Sequence, residues 1–271
     1  MRIATFNINS IRARIDPLKQ LVAKYQPDII GLQEIKAQAH NYPKAELAGL
    51  GYNHHIHGQK SYHGVSLLAK SSLNLELPKV NFEFEQGQAR LQHCTIKLAS
   101  NQKLEIINGY FPQGDSKHHP IKFPYKLNFY EKFTSYIKET FSPSSLLLIM
   151  GDFNIAPRSE DIGIGEQNIK RWLSAGKCSF LPEERELLAR LQAFPLYDAF
   201  RLNYPDSTDL SWFDYRSRGF EDNPKRGLRI DYALVTKPLL DKFKSARVDY
   251  HTRSMERPSD HCPVIYDFEL T

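Results

Sequence analysis

The chain has 271 residues, 41% hydrophobic and 25% charged, a balance that supports a packed core and excludes a disordered chain. No apolar run approaches the ~20 residues that cross a bilayer, and the first seven residues read directly as a strand rather than an export signal. A cytoplasmic protein with no membrane partner is therefore expected. The formal charge of +5 and pI near 8.9 permit a polyanionic partner without requiring one. Cys94, Cys178 and Cys262 are odd in number and far apart, with no C-x-x-C pair. That excludes a disulfide framework or zinc-thiolate site and fits a reducing compartment.

Residues 3–8 read as a first strand ending in Asn7-x-Asn9-Ser10, before a stretch over 11–24 with helical apolar spacing. Asn7 is placed either to cap that helix or to reach a ligand. Residues 29–33 form a second apolar strand that closes on Glu34, with Lys36 just beyond. Residues 51–63 read as turn-rich. Their four histidines, His54, His55, His57 and His63, match neither a helical metal pair nor a zinc finger. A buried strand is expected over 64–69. Residues 90–98 and 103–108 read as a hairpin about Ser100-Asn101. The second arm runs into Tyr110 and Gln113 in a loop shaped by Gly and Pro. Residues 117–126 interleave Lys117, Lys122 and Lys126 with Phe123 and Tyr125, a mixture that suits a phosphate backbone. A helix is expected over 126–139.

The apolar run 146–150 leads into Gly151-Asp152-Phe153-Asn154-Ile155. Residues two apart in an extended segment share a face, and open α/β sheets bind ligands at the carboxyl edge of their strands. Asp152 and Asn154 can thus converge on one metal ion or phosphate, although Asp-x-Asn after a strand is also ordinary turn chemistry. The glycine-rich run 161–165 lacks a full phosphate-binding fingerprint. Pro182 is the expected first residue of a helix over 183–192. Residues 211–218 set Trp212, Phe213 and Tyr215 among Arg216 and Arg218. The charges between the rings predict partial exposure and a Trp212-Phe213 surface for stacking on an opened duplex. Residues 229–235 place Asp231 inside a strand, on the face of Ala233. Asp260-His261 lies in a turn between Pro258 and Pro263, before a last strand over 264–268. Strands alternate with helices throughout and no linker divides the chain, which predicts a single α/β domain over 1–271.

Asn7, Glu34, Tyr110, Asp152, Asn154, Asp231, Asp260 and His261 each fall at a strand end or in the next turn. With Leu-Gln-Glu-Ile-Lys, Gly-Asp-Phe-Asn-Ile, Ser-Trp-Phe-Asp-Tyr-Arg-Ser, Gly-Leu-Arg-Ile-Asp and Ser-Asp-His in this order, the chain resembles the endonuclease/exonuclease/phosphatase superfamily. Within it, the chain resembles the bacterial abasic-site endonucleases of the exonuclease III type. The resemblance covers essentially the whole chain. It implies a four-layered α/β sandwich, two mixed β-sheets packed face to face with helices outside. It implies Mg²⁺ or Mn²⁺ held mainly by Glu34, assisted by Asn7 and Asp260, with Asp152 and Asn154 at a second metal position. Asp152 would be the base, its pKa raised by burial or neighbouring carboxylates. His261, oriented by Asp231, would contact the scissile phosphate, and Tyr110 and Asn154 would stabilise transition-state charge. The implied activity is hydrolysis of double-stranded DNA 5′ to abasic sites, and removal of nucleotides and blocking groups from 3′ ends, in base excision repair by a monomer. Arg90, Gln113, Lys122, Trp212, Phe213 and Arg216 would bind DNA. Two departures stand out: some relatives carry Asp where this chain has Asn9, and the loop 221–227, with Pro224-Lys225-Arg226, is longer and more basic than the family pattern. The rival readings are a phosphoesterase of the same superfamily acting on inositol phosphates or sphingomyelin, and a nucleic-acid-binding protein without catalysis.

Overall fold

The computed structural model describes residues 1–78 and 87–270. The first half runs β1 (Arg2–Asn7), α1 (Ile15–Tyr25), β2 (Ile29–Gln33), α2 (Lys44–Leu47), β3 (Tyr52–His57), β4 (Val65–Lys70), β5 (Leu75–Glu76), β6 (Leu91–Lys97) and β7 (Lys103–Tyr110). There follow α3 (Lys122–Thr140), β8 (Leu146–Asp152), α4 (Glu166–Ser174), α5 (Pro182–Gln192), β9 (Leu196–Asp198) and α6 (Ala199–Asn203). The chain closes with β10 (Asp231–Thr236), α7 (Lys237–Leu240), β11 (Phe243–Val248), α8 (Tyr250–Ser254) and β12 (Val264–Phe268).

These strands make two six-stranded sheets, ordered β11-β12-β1-β2-β4-β3 and β5-β6-β7-β8-β10-β9. Both are mixed, because β1 and β2 pair in parallel, as do β7 and β8, while their other neighbours run antiparallel. Strand alternation sorts the side chains into layers. Ile3, Ile29, Leu148, Met150 and Val264 face the space between the sheets. Ala4, Phe6, Ile30 and Leu32 turn outward onto Leu18 and Leu21 of α1. Leu147 and Ile149 turn outward onto Phe129 and Phe133 of α3 and Leu187 and Leu188 of α5. The result is helix, sheet, sheet, helix, the expected four-layered sandwich.

At the end of the sandwich where β1, β2, β7 and β8 finish, apolar packing gives way to polar bridging. Gln33 Nε2 donates to Asn108 Oδ1 at 2.6 Å, and Asn108 Nδ2 donates to the carbonyls of Leu32 and Ser66, each at 3.1 Å. Gly31 makes room for this bridge, since a Cβ there would lie 2.8 Å from Asn108 Oδ1. Buried amides tied across two sheets fix their relative position at the edge where the candidate residues emerge.

Several expectations need correction. The helical stretch after β1 is interrupted: residues Ile11–Ala13 form a 3-10 turn, and α1 begins only at Ile15. The first half of the turn-rich histidine segment is the edge strand β3, paired with β4. Helix α3 starts at Lys122, four residues earlier than the apolar spacing suggested. Lys126 is no phosphate-facing residue, being fully buried and paired with Glu184. Asp161, in the glycine-rich run, is buried between Arg201 and Arg229 and serves the core. Among the described residues no helix is long and apolar enough to cross a membrane.

Candidate active site

Asp152 ends β8 and pairs in register with Tyr110 of β7 on one side and Asp231 of β10 on the other. The second sheet thus brings three of the expected residues side by side. The first sheet adds Asn7 at the end of β1, opposite Gln33 of β2, whose chain continues into Glu34. Asn7 Nδ2 joins the two sheets, donating to Glu34 Oε1 at 3.0 Å and to Asp152 Oδ2 at 2.9 Å. Its own oxygen accepts the backbone N–H of Asn9, so Asn7 turns N–H groups, not oxygen, toward the carboxylates.

Asp152 Oδ1 accepts the backbone N–H of Asn154 at 2.9 Å. Asn154 and Glu34 both adopt positive φ, 53° and 48°, a conformation that costs a non-glycine residue about 1–3 kcal/mol. The neighbours over-determine it: Asn154 Nδ2 donates to Phe111 O, and Lys126 Nζ donates to Asn154 O at 2.9 Å. Lys36 lies 2.9 Å from Glu34 Oε2.

His261 completes the centre. Its Nδ1 is 2.8 Å from Asp231 Oδ2, and its Nε2 is 3.8 Å from Asp152 Oδ2. Asp231 is held in turn by Ser211, whose hydroxyl donates to Asp231 Oδ2 at 2.7 Å and accepts the N–H groups of Ile230 and Asp231. Ser259 ties the Asp260-His261 turn to β1 by donating to Asn7 O. Asp260 gives one oxygen to Asn9 Nδ2 and the other to Trp212 Nε1 at 3.0 Å.

The electrostatics follow from burial and neighbours. Burial pushes Asp152 up to about 7; Asp231 and Glu34 add to the rise, while His261 and the Asn7 hydrogen bond oppose it. Burial disfavours charge on His261, but Asp231, Asp152 and Asp260 outweigh it and hold the imidazole up at about 10. Burial also opposes charge on Glu34, yet Lys36 and Asn7 keep its carboxyl below its ordinary value. The Tyr110 phenol is driven well above its usual value by burial, then by the Glu34 charge. The centre therefore offers an ionised Glu34, a cationic His261, a neutral Tyr110 donor and, in Asp152, a carboxylate that titrates near neutrality.

Ligand atoms of Glu34, Asp152 and His261 lie within 4.8 Å of one another, the group of this kind found among the described residues. The two carboxylates suit a hard divalent cation. His261, whose protonated form is stabilised by the negative charge of its carboxylate neighbours, is better disposed toward an anion. Asp260 is not brought into this group. A cleft of about 320 Å³ opens over the centre, lined by Glu34, Tyr110, Asp152, Asn154, Trp212 and His261, with Gln113 and Arg216 at its walls.

Sequence reasoning did not identify Trp172 and Lys177, which also line this cleft. Lys177 Nζ is 4.1 Å from the Trp172 ring centroid, and Trp172 stacks on Phe180. Trp172 next to Lys170 and Arg171, with Lys177 five residues on, was the available signal. Phe213 is a correction: it is fully buried against Phe220 and Tyr250 and lines no part of the cleft, whereas Trp212 beside it does. Arg90 is only 5% exposed and donates to Tyr110 O and Gln88 Oε1. Lys122 is exposed and paired with Asp115. In the basic loop, Lys225 folds back over the Phe220 ring and Arg226 pairs with Asp222.

The pattern of the Endonuclease/Exonuclease/phosphatase family matches residues 4–261. The chain belongs to this family. It is 45% identical over 270 residues to exodeoxyribonuclease III of Haemophilus influenzae, covering 99% of this chain and all of that one. Among solved structures it is similar to a 3′-5′ exonuclease of Neisseria meningitidis, at a TM-score of 0.86 and 32% identity over 99% of this chain and 100% of that one. It is also similar to an AP endonuclease of Archaeoglobus fulgidus, at a TM-score of 0.86 and 28% identity over 99% of both chains. The two mixed sheets flanked by helices are the family's α/β sandwich.

Proposed function

We propose that the protein is a Mg²⁺- or Mn²⁺-dependent DNA nuclease that hydrolyses the phosphodiester 5′ to abasic sites in duplex DNA. The same centre removes nucleotides and blocking groups from 3′ ends, in base excision repair. The observation that carries this reading is the continuous hydrogen-bonded chain from Glu34 through Asn7 to Asp152, with His261 and Asp231 beside it. It joins cation ligands, base and anion receptor in one cleft. Full-length similarity to an exodeoxyribonuclease III supports the choice of DNA over a lipid or inositol phosphate.

Glu34 and Asp152 are the residues that would hold the cation, with Asn154 at a second position. Bound there, a divalent cation supplies Lewis-acid polarisation of the phosphoryl oxygens and charge neutralisation at the departing 3′ oxygen. Asn7 and Asp260 act through their neighbours: Asn7 spaces the two carboxylates, and Asp260 anchors Trp212 and Asn9. Asp152, with its raised pKa, takes a proton from the attacking water. His261, cationic and oriented by Asp231, donates from Nε2 to a phosphoryl oxygen. Tyr110 donates from its neutral phenol, and Asn154 from the amide hydrogen that Phe111 leaves free. The P–O3′ bond breaks as the water oxygen bonds to phosphorus, and the departing O3′ takes a proton from solvent, leaving a 3′-hydroxyl and a 5′-phosphate on the abasic residue. An abasic nucleotide lacks the base that holds it in the stack, so extruding it costs less than extruding a normal one. Trp212 faces the cleft that would receive it, with Arg216, Gln113 and Lys122 along the duplex. The protein acts as a monomer in this reading, and three buried free cysteines accord with the cytoplasm.

The test is a duplex carrying one synthetic abasic site, incubated with the pure protein in Mg²⁺ and then in EDTA. Incision 5′ to the lesion in Mg²⁺ and none in EDTA is the expected result. Intact DNA alongside cleavage of an inositol phosphate or sphingomyelin would overturn it.

A further inference from the structure

A second cleft, of about 370 Å³, opens beside the reaction site and shares Tyr110 and Gln113 with it. A third adjoins the reaction site through a different wall, formed by Trp172, Lys177 and Trp212. The reaction site thus lies between two clefts that share walls with it, and apart from Tyr110 the second cleft supplies no group to the bond-breaking step above.

We propose that the cleft on the Tyr110 side stacks the base of the nucleotide next to the scissile phosphate. The inference rests on the nuclease reading. Its walls combine the rings of Tyr62, Tyr110 and Tyr125 with Arg90 and Lys122, and among the described residues no carboxylate lines it. Tyr62, from the loop after β3, is 69% exposed, and Ile121, just before α3, is 64% exposed. Two large apolar side chains held open to water at the mouth of one cleft, rather than scattered over the surface, mark a place where an apolar face is meant to land.

Arg90 shows which kind of face. It is nearly buried, its guanidinium carbon lies 4.9 Å from the Tyr110 ring centroid and 5.7 Å from that of Tyr125, and two of its nitrogens are spent on Tyr110 O and Gln88. It is therefore a fixed cationic plane against aromatic rings, not a free arm for gripping phosphate. Arg90 backs those rings rather than meeting a ligand, and the exposed Tyr62 ring beside them is what a flat π system would stack on. The phosphate of that nucleotide falls to Lys122, whose pairing with Asp115 joins two half-exposed side chains at 3.0 Å and exchanges readily.

Tyr110 also sets the distance. It lies in register with Asp152, so the base that reaches this cleft belongs to a neighbour of the reacting phosphate. Within an intact duplex both π-faces of a base are covered. Beside an abasic nucleotide or at a frayed 3′ end one face is bare, and the cleft would cover it. Such a contact would favour a gap in the stack over continuous duplex, adding selectivity at a point separate from the pocket near Trp212.

The experiment uses the full-length protein in EDTA, which halts turnover. Two duplexes carry a tetrahydrofuran abasic analogue with 2-aminopurine placed immediately 5′ or immediately 3′ to it. The wild type is expected to change the emission of one of the two probes. Tyr62→Ala should lose most of that change and bind that duplex about tenfold more weakly, while Tyr62→Phe keeps both. Because Tyr62 is exposed, the variants should melt with the wild type. No change at either position, or a change and an affinity that Tyr62→Ala leaves intact, would overturn the proposal. Incision of unlabelled abasic duplex in Mg²⁺ by the same preparation is scored separately. Its loss in the wild type refutes the nuclease reading, whereas normal incision with an indifferent Tyr62 refutes only the stacking cleft.

Discussion

Replacing Lys126 by Met keeps the length of the side chain and removes its charge. Lys126 is fully buried in α3, and its ammonium donates to Glu184 of α5, to Asn154 O and to Gln113 O. The substitution deletes all three bonds and leaves Glu184 as a buried carboxylate with the N–H groups of Ser179 and Leu181 and the Cys178 thiol but no cation. Breaking one half of a buried pair in this way costs about 3–5 kcal/mol. In a chain of this size that corresponds to a fall in Tm of about 6–10 °C. The double variant Lys126→Met with Glu184→Gln removes the stranded charge but retains an acceptor for Ser179 and Leu181. It should recover about 2 kcal/mol of the loss. Urea unfolding of wild type, single and double variants at one pH measures these differences through the midpoint at constant m. Because Lys126 also steadies the loops carrying Asn154 and Gln113, kcat of the single variant should fall well below its melting temperature. A single variant within about 1 kcal/mol of wild type, or a double variant no more stable than the single, would refute the reasoning.

Asp152→Asn keeps the shape of the centre without a base, and kcat should fall by about 10²–10⁴-fold with abasic-duplex binding largely retained; substantial remaining turnover would exclude Asp152 as the base. In Asp231→Asn the carboxylate that most strongly supports the His261 charge is gone, so the imidazole loses its proton at lower pH. The alkaline limb of kcat/KM, set by a group titrating at about 10 in the wild type, should move acidward by more than one unit, and superimposable profiles would contradict this. Asp161 is opposed by burial, but Arg229 and Arg201 hold its native pKa below the ordinary carboxylate value. Its contribution to stability is therefore complete above the unfolded value of about 3.9 and is lost as pH falls through the lower native one. Urea midpoints of wild type and Asp161→Asn should converge in that acid window, and a constant gap would count against the network.

The reaction site was legible because each of its residues stands at an end of a hydrophobic strand or in the turn beside one. Asp152 is the first polar group after an apolar run, Asn7 and Glu34 close largely apolar strands, and the sheets need only their ordinary pairing to bring them together. Helix α5 was legible to the residue, with Pro182 at its start. What stayed hidden depends on partners distant in sequence. Lys126 and Glu184 are 58 positions apart, and Asp161 meets Arg201 at 40 and Arg229 at 68, so nothing local separates these charges from solvated ones. Phe213 was misread for a different reason. Trp212 and Phe213 are adjacent, so an extended backbone points them to opposite sides, and only one could face the cleft. The Asn7 orientation depends on where the N–H of Asn9 points, which strand patterning does not carry.

Tyr110, Asp152 and Asp231 occupy one rung across three adjacent strands. Side chains alternate along a strand, so sliding β8 by a single position would turn its carboxylate to the far face and replace it with Gly151 or Phe153. There is no half-assembled version of this rung. During refolding, incision should therefore appear only when β7, β8 and β10 have found their mutual alignment, lagging any signal from collapse or helix formation. Enzymatic activity is in that sense a gauge of strand alignment, readable at protein concentrations far too low for spectroscopy.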